Sequence, residues 1–303
     1  MYRVRHQIGC EQVSYRGRDV QVVFLDTGLC EHPDFADRVE GMVDFTNHIG
    51  TGLDDNGHGT HVAGCLAGDG SASQGKFAGI APKSRIWSGK ILDRNGNGEL
   101  SQLVEALEWV VHLNDQEPIQ IVNISVGAAN LKDSLEFQYV SELIRYLSRR
   151  KVLFFCAAGN FTPDATTISL IGSLESVITV GCHEGDFGMG RKDLCQFYSC
   201  VGDPEAEGNR RKPDLVAPGT DIVSCNVHYR VRGGKVWNGY CKKSGTSMAT
   251  PIAAGAAALF KEKYPSASVA DYKRALQESC RDVGLPFCRQ GYGLLWVPGL
   301  LNE

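Results

Sequence analysis

Short apolar runs alternate with stretches of helical periodicity from residue 20 to residue 180, and this alternation restricts the fold more than any other feature. Val20 to Leu25 reads as a buried strand that stops at Asp26. Arg85 to Leu92, Ile119 to Ser125, Lys151 to Cys156 and Ser176 to Val180 read as further strands. Between them, Ser101 to Asn114 carries Leu103, Leu107, Val110 and Val111 at helical spacing, with Ser101 as the expected N-cap. Ser134 to Arg150 places Leu135, Leu143, Ile144 and Leu147 on one helical face. Strands that alternate with helices in this way build an α/β fold of three layers, a mostly parallel sheet with helices on both faces. Functional residues then belong at the C-terminal ends of strands, and both Asp26 and Asn160 follow such strands. After Pro251, the run Ile252 to Phe260 has small residues on all sides, which predicts a helix buried in the middle of the molecule. With no internal repeat, low-complexity tract or linker, residues 1–303 read as a single domain.

Composition narrows the function. A formal net charge of −4 gives no electrostatic case for a nucleic-acid partner or an anionic membrane. The basic runs Arg149-Arg150-Lys151 and Arg210-Arg211-Lys212 read as solvated turns. No apolar run approaches the ~20 residues that span a bilayer. The start, Met1-Tyr2-Arg3-Val4-Arg5-His6, has no signal-peptide pattern. Eleven cysteines, an odd number, do not look like a disulfide scaffold, and several sit inside apolar runs as small hydrophobes. Both observations point to a reducing, cytoplasmic setting. Oligomeric state is not readable.

Four polar residues in glycine-rich settings carry the chemistry. A serine hydroxyl is a poor nucleophile at neutral pH. It needs a base within hydrogen-bond reach, a carboxylate to orient that base, and donors for the oxyanion. Ser247 supplies the nucleophile, His58 the base and Asp26 the orienting carboxylate, while Asn160 is an oxyanion donor together with the Ser247 backbone N–H. Ser247 falls at or near the N-terminus of the buried helix, where the dipole favours developing negative charge. His58 opens a helical stretch that runs to Leu66. Taken singly, each has an ordinary alternative: a strand-ending turn aspartate, a satisfied structural histidine, a serine N-cap. His61 follows His58 by three residues, but the pair lacks the H-E-x-x-H pattern of a zinc protease. No metal ligand is assigned.

With their flanking strings, Val22 to Gly28, Asn56 to Gly64, Ala157 to Asn160 and Gly245 to Pro251, these residues resemble the subtilisin-like serine proteases, or subtilases. The order Asp, His, Ser is the subtilisin order. The resemblance covers nearly the whole chain and is closest in character to intracellular bacterial subtilases. It implies a subtilisin-like fold, peptidase activity and a peptide or protein substrate. In subtilases, the stretch matching Gly96, Asn97 and Gly98 is an edge that pairs with substrate, faced by Ser125, Val126 and Gly127. Ala158 and Gly159 complete the implied substrate contacts. A substrate would then lie extended between two strands. Read without the family, Gly96-Asn97-Gly98 is a surface turn. The surrounding Asp93 to Val104 resembles a calcium loop, except that Val104 stands where a bidentate Glu is required.

The chain also departs from the family. About nineteen residues precede the first strand, so no separate prodomain is evident. The chemistry requires no cofactor. A structural calcium stays open, because Asp34 sits near the position of one calcium ligand of the secreted enzymes. The segment Cys182 to Val201 holds a short insertion, Phe187 to Leu194, and its Cys182, His183, Cys195 and Cys200 match no standard zinc spacing. Phe161 and the apolar residues near Ile168 favour an uncharged side chain before the cut. Three functions follow: an endopeptidase, for general turnover or for maturing one leader-bearing precursor; a catalytically silent peptide binder; and a transpeptidase or macrocyclase. The intact Asp26, His58, Asn160 and Ser247 argue against the silent binder. Water gained or not gained in the products separates the first from the third.

Overall fold

In the computed structural model, the described residues are 1–47, 50–125, 134–160, 168–184, 195 and 198–303. The elements that frame the molecule are α1 (Tyr2–Gln7), β1 (Gln21–Asp26), β2 (Val39–Asp44), α2 (His58–Ala67), β3 (Arg85–Lys90), α3 (Leu100–Gln116), β4 (Ile121–Ile124), α4 (Leu135–Arg149), β5 (Leu153–Ala157), β6 (Val177–Cys182) and β7 (Leu215–Ala217). They are followed by β8 (Ile222–Cys225), β9 (Arg230–Arg232), β10 (Lys235–Trp237), β11 (Tyr240–Lys243), α5 (Thr246–Lys263) and α6 (Val269–Ser279). The seven-stranded sheet has the order β2-β3-β1-β4-β5-β6-β7. Every pairing in it is parallel. This is the expected α/β architecture.

Apart from the half-exposed edge strand β2, the sheet is buried on both faces, and its side chains divide between two cores. Val22 and Phe24 of β1 join α2, α5 and α6 on one side. Val23 and Leu25 join α3 and α4 on the other. The same alternation recurs in β5, where Leu153 and Phe155 enter the first core and Phe154 and Cys156 the second. After β1 the chain moves toward β2, whereas after β4 it moves toward β5. The crevice beyond the ends of β1 and β4 is therefore the topological switch point, where α/β sheets hold their ligands.

Several boundaries differ from the sequence reading, each for a local reason. The N-cap of α3 is Glu99 rather than Ser101, because Glu99 and Gln102 cap each other reciprocally. Pairing in β4 begins at Ile121, since the N–H of Ile119 is taken by the Asn114 side chain. Lys151 has a positive φ of 70° and closes the preceding helix, so β5 starts two residues later than expected. β6 runs on to Cys182 because β7, a strand of three residues, pairs with Val180, Gly181 and Cys182. Among the described residues no helix is long and apolar enough to cross a membrane.

Helix α5 is the axle of the first core: every residue from Thr246 to Lys261 is buried. Its small side chains let neighbouring backbone come close. At Gly255 a Cβ would lie 2.6 Å from the Cβ of Ile80. Gly255→Ala should therefore destabilise the protein by about 1–3 kcal/mol through overpacking, although alanine is the better helix former. Denaturant midpoints check this: Ile80→Ala should lose less stability in the Gly255→Ala background than in the wild type.

Candidate active site

The end of β1 presents Asp26, which is buried, to the first residue of α2. Its Oδ1 accepts hydrogen bonds from His58 Nδ1 at 2.7 Å and from the Thr27 N–H at 2.7 Å. The second carboxylate oxygen is buried and has no partner among the described residues. Burial alone would lower the pKa of His58, but the Asp26 charge and the hydrogen bond outweigh it, and the net shift is upward from 6.5. The Nδ1–H is thus committed to Asp26, which leaves Nε2 as the basic nitrogen. The His58 side chain is 25% exposed, so that nitrogen is reachable.

Asp54 holds α2 in place, a role the sequence reading missed. Its Oδ1 accepts from Gly57 N (2.7 Å), Asn56 N (3.0 Å) and Thr27 Oγ1 (2.8 Å). Its Oδ2 accepts from Thr60 N (2.9 Å) and Thr60 Oγ1 (2.7 Å). Asp54 so takes the Thr60 N–H of the first turn, while Asn56 Oδ1 takes that of His58 and Thr27 Oγ1 that of Gly59, which ties the helix start to the residue after Asp26. The signal was present: Asp54 and Asn56 immediately precede the first helical residue. Lys90, at the end of β3, adds a buried ammonium that bonds the Thr27 carbonyl, the Leu92 carbonyl and the Asp55 carboxylate.

Ser247 is the second residue of α5. Its hydroxyl donates to the Ser125 carbonyl at 3.0 Å. The preceding N–H, that of Thr246, donates to Asn160 Oδ1 at 2.8 Å, and the Thr246 hydroxyl does so at 2.9 Å. A backbone N–H can only donate, so this pair fixes the orientation of the Asn160 amide. The Nδ2 donors face away from Thr246, on a residue that is exposed. Because Ser247 lies in the first turn, its own N–H has no intrahelical acceptor. Two donors, Asn160 Nδ2 and Ser247 N–H, are therefore available where the positive end of an 18-residue helix points.

A cleft of about 770 Å³ has His58, Thr27, Asn56 and Ser125 along its wall, and Ser125 is the residue whose carbonyl holds Ser247 Oγ. Ile91, Leu92, Leu100, Leu103 and Ile171 make it apolar, and Glu99 and Glu136 add carboxylates. Gly96, Asn97 and Gly98 line it too, directly after the turn at Arg94-Asn95. Asp93 closes that turn, its N–H donating to the Asn97 carbonyl at 2.8 Å and its carboxylate accepting from Asn95 N and Asn97 N. Ala158 and Gly159 lie beyond β5 with internal partners. Ala158 bonds Val180 and Ser169, and Gly159 bonds Thr246 Oγ1 and Cys200. They precede Asn160 in the chain and do not line the cleft. Val126, Gly127, Phe161 and the insertion from Phe187 to Leu194 lie outside the described residues.

Metal chemistry finds little support in the donor sets. His61 is fully buried, with Nε2 on the Ile222 and Cys241 carbonyls at 3.0 and 3.3 Å. Burial first, then Lys243, pushes its pKa down to about 3, so it stays neutral. At Asp34 the carboxylate is surrounded by donors: Tyr240 OH at 2.9 and 3.0 Å, Gly70 N at 3.2 Å and Ala72 N at 3.0 Å. Its other neighbours are the His32 ring and the Cys225 thiol. Calcium needs six to eight oxygens, and these residues do not fit it. Cys182 and Cys195 form a disulfide, which the cysteine count had not led us to expect. The other nine cysteines form none.

A model of the subtilase family matches residues 17–293. Serine protease AprX of Bacillus subtilis (strain 168) is 35% identical over 275 residues, covering 86% of this chain and 61% of the relative. Subtilisin of Bacillus sp. (strain TA39) is 32% identical over 278 residues, with 86% and 61% covered. Subtilisin DY of Bacillus licheniformis is 30% identical over 290 residues, with 93% and 91% covered. The chain spans about three fifths of the length of the first two, at 61% each. On the match from residue 17 to residue 293, this chain belongs to the subtilase family.

Proposed function

We propose that the chain is a serine endopeptidase that hydrolyses polypeptides through an acyl-enzyme, with Ser247 as nucleophile, His58 as base and Asp26 as its orienting partner. The observation that carries this reading is the 2.7 Å bond from His58 to a buried Asp26, with the Ser247 hydroxyl held on Ser125, a residue that lines the same cleft as His58. In the free protein the Ser247 hydroxyl rests on the Ser125 carbonyl. Rotation about its Cα–Cβ bond turns the hydroxyl toward His58, and such hydrogen bonds commonly tighten only when substrate is bound.

The steps follow from the donors. Ser247 Oγ attacks the peptide carbonyl carbon while its proton passes to His58 Nε2. The carbonyl oxygen takes the negative charge and is held by Asn160 Nδ2 and the Ser247 N–H. Asp26 stabilises the imidazolium without taking its proton. His58 then protonates the leaving amine, and the C–N bond breaks. Water then attacks the acyl carbonyl carbon as His58 takes its proton, and the bond to Ser247 Oγ breaks as His58 returns that proton to Oγ, releasing a carboxylic acid and restoring the serine. Access of water at this point favours hydrolysis over transpeptidation. The apolar lining of the cleft favours an extended substrate with apolar side chains ahead of the cut.

A defined peptide substrate with mass readout tests the reading. The product masses should sum to the substrate plus one water; products lacking that water would establish acyl transfer instead, and no turnover would sink both. Asn160→Ala should lower kcat by about 10²–10³, the scale established for removing such a donor in subtilisin. Ser247→Ala should leave only the residual rate of the binding site and oxyanion hole.

The pH profile adds a signed test. His58 must be neutral to accept the proton, so kcat/KM falls as pH drops through its pKa. With that pKa raised, the acid limb should have its midpoint above 6.5. Asp26→Asn should lower kcat by about 10⁴ and move the midpoint down, because the charge that raises the pKa is gone. A limb unmoved by Asp26→Asn would contradict the assignment.

A further inference from the structure

Between β8 and β11, which pair antiparallel, the chain inserts the hairpin β9–β10. The turn, Gly233-Gly234, has positive φ at both residues, 55° and 73°, as a type I′ connection requires. It fixes the register: Arg230 faces Trp237, Val231 faces Val236, and Arg232 faces Lys235. Alternation then puts Arg230, Arg232, Lys235 and Trp237 on one face and the valines on the other. Val236 is half-buried and lies against Gly239, where a Cβ would meet it at 2.9 Å. Val236 packs inward, whereas Val231 is 58% exposed, and the cationic face is exposed along its length. Trp237 is 60% exposed. None of Arg230, Arg232 and Lys235 forms an ion pair among the described residues, and all are exposed.

The hairpin has a firm base beside the catalytic histidine. Asn226 N bonds the Gly239 carbonyl at 3.0 Å, and Asn226 Nδ2 bonds the Asn238 carbonyl at 2.9 Å. The Tyr229 ring packs edge-on to His32 at 5.0 Å, and its hydroxyl donates to the Glu31 carbonyl. Val227 touches Gly57, the residue before His58. At the other end β11 delivers Lys243, whose charge is felt by His58, four residues before Ser247. No residue of 226–243 lines the cleft. The hairpin thus extends the surface past His58, away from the cleft.

We propose that the β9–β10 hairpin is a docking surface for an acidic, extended segment of the polypeptide substrate, on the flank that leaves the cleft past His58. This rests on the endopeptidase reading and deepens it. Three unpaired cations on a chain of net charge −4 reverse the local field. Trp237 offers an apolar platform among them. The outer edges of the two-stranded ribbon supply main-chain donors and acceptors for an extended chain. An extended polyanionic surface, whether lipid or nucleic acid, would be repelled by the rest of the chain, whereas a short acidic peptide would not.

Binding to the Ser247→Ala protein tests this without catalysis. Fluorescence anisotropy would compare a labelled peptide bearing a run of Asp and Glu with a Gln and Ser control of equal length. The acidic peptide should bind about tenfold more tightly at low salt, and the advantage should shrink as salt rises. It should vanish when Arg230→Glu, Arg232→Glu and Lys235→Glu are combined, and weaken in Trp237→Ala. Equal affinity for both peptides, or a preference that survives the triple substitution, overturns the proposal. So does competition by phosphatidylserine vesicles that outbind the peptide. In the active enzyme the triple variant should lose about tenfold in kcat/KM on an acidic-tailed substrate and keep its rate on a short neutral one within about twofold. An inactive wild type whose Ser247→Ala form still selects the acidic peptide would sink the protease reading and leave the surface standing.

Discussion

The hydrogen bond from His58 to Asp26 is the constraint that the rest of the structure serves. It joins the last residue of a buried strand to the first residue of a helix, at 2.7 Å. A carboxylate buried this deeply must be compensated. The Thr27 N–H and the His58 ring provide that compensation on one oxygen. The approach of α2 is set by a second buried carboxylate, Asp54, which gathers the helix-start donors and the Thr27 hydroxyl. Two anionic side chains with separate jobs, one orienting a base and one positioning its helix, lie within a single loop-linked corner of the sheet.

Helix α5 supplies the other half of the site by a different physical route. It runs buried from Thr246 to Lys261, and small residues make that burial feasible. A helix in the core brings its unsatisfied N-terminal donors and its dipole with it. Asn160 absorbs the first of these donors through its carbonyl oxygen, which turns its amide nitrogen outward. Packing of the core and polarity of the proposed oxyanion site thus come from the same helix. The switch point between β1 and β4 makes the crevice, and Asp26 and Ser125 lie at those strand ends.

Much of this was legible in the sequence because it follows from local rules. A buried apolar strand that stops at an aspartate marks the end of β1, and helical periodicity marked α3 and α4. Legibility failed where tertiary context decides. Ser101 looked like an N-cap, but the reciprocal bonds of Glu99 and Gln102 win. β2 is a half-exposed strand broken by Gly41, and β7 is three residues long, so neither carries a pattern strong enough to read. Gly96-Asn97-Gly98 was expected as a substrate edge by resemblance, and the cleft does include it, directly after a turn closed by Asp93. Asp54 was missed although Asp and Asn before a helix are a start signal. The resting bond of Ser247 to the Ser125 carbonyl could not have been read at all, since it joins residues 122 apart through side-chain rotation.

The central claim is that Asp26 and His58 activate one serine. Intact-mass analysis after exposure to a fluorophosphonate probe, with Ser247→Ala alongside and pH varied, measures this most directly. A single adduct that maps to Ser247, is absent from the variant and forms faster as pH rises through a midpoint above 6.5 is the predicted result. No adduct on the folded wild type, or one that persists in Ser247→Ala, would contradict it.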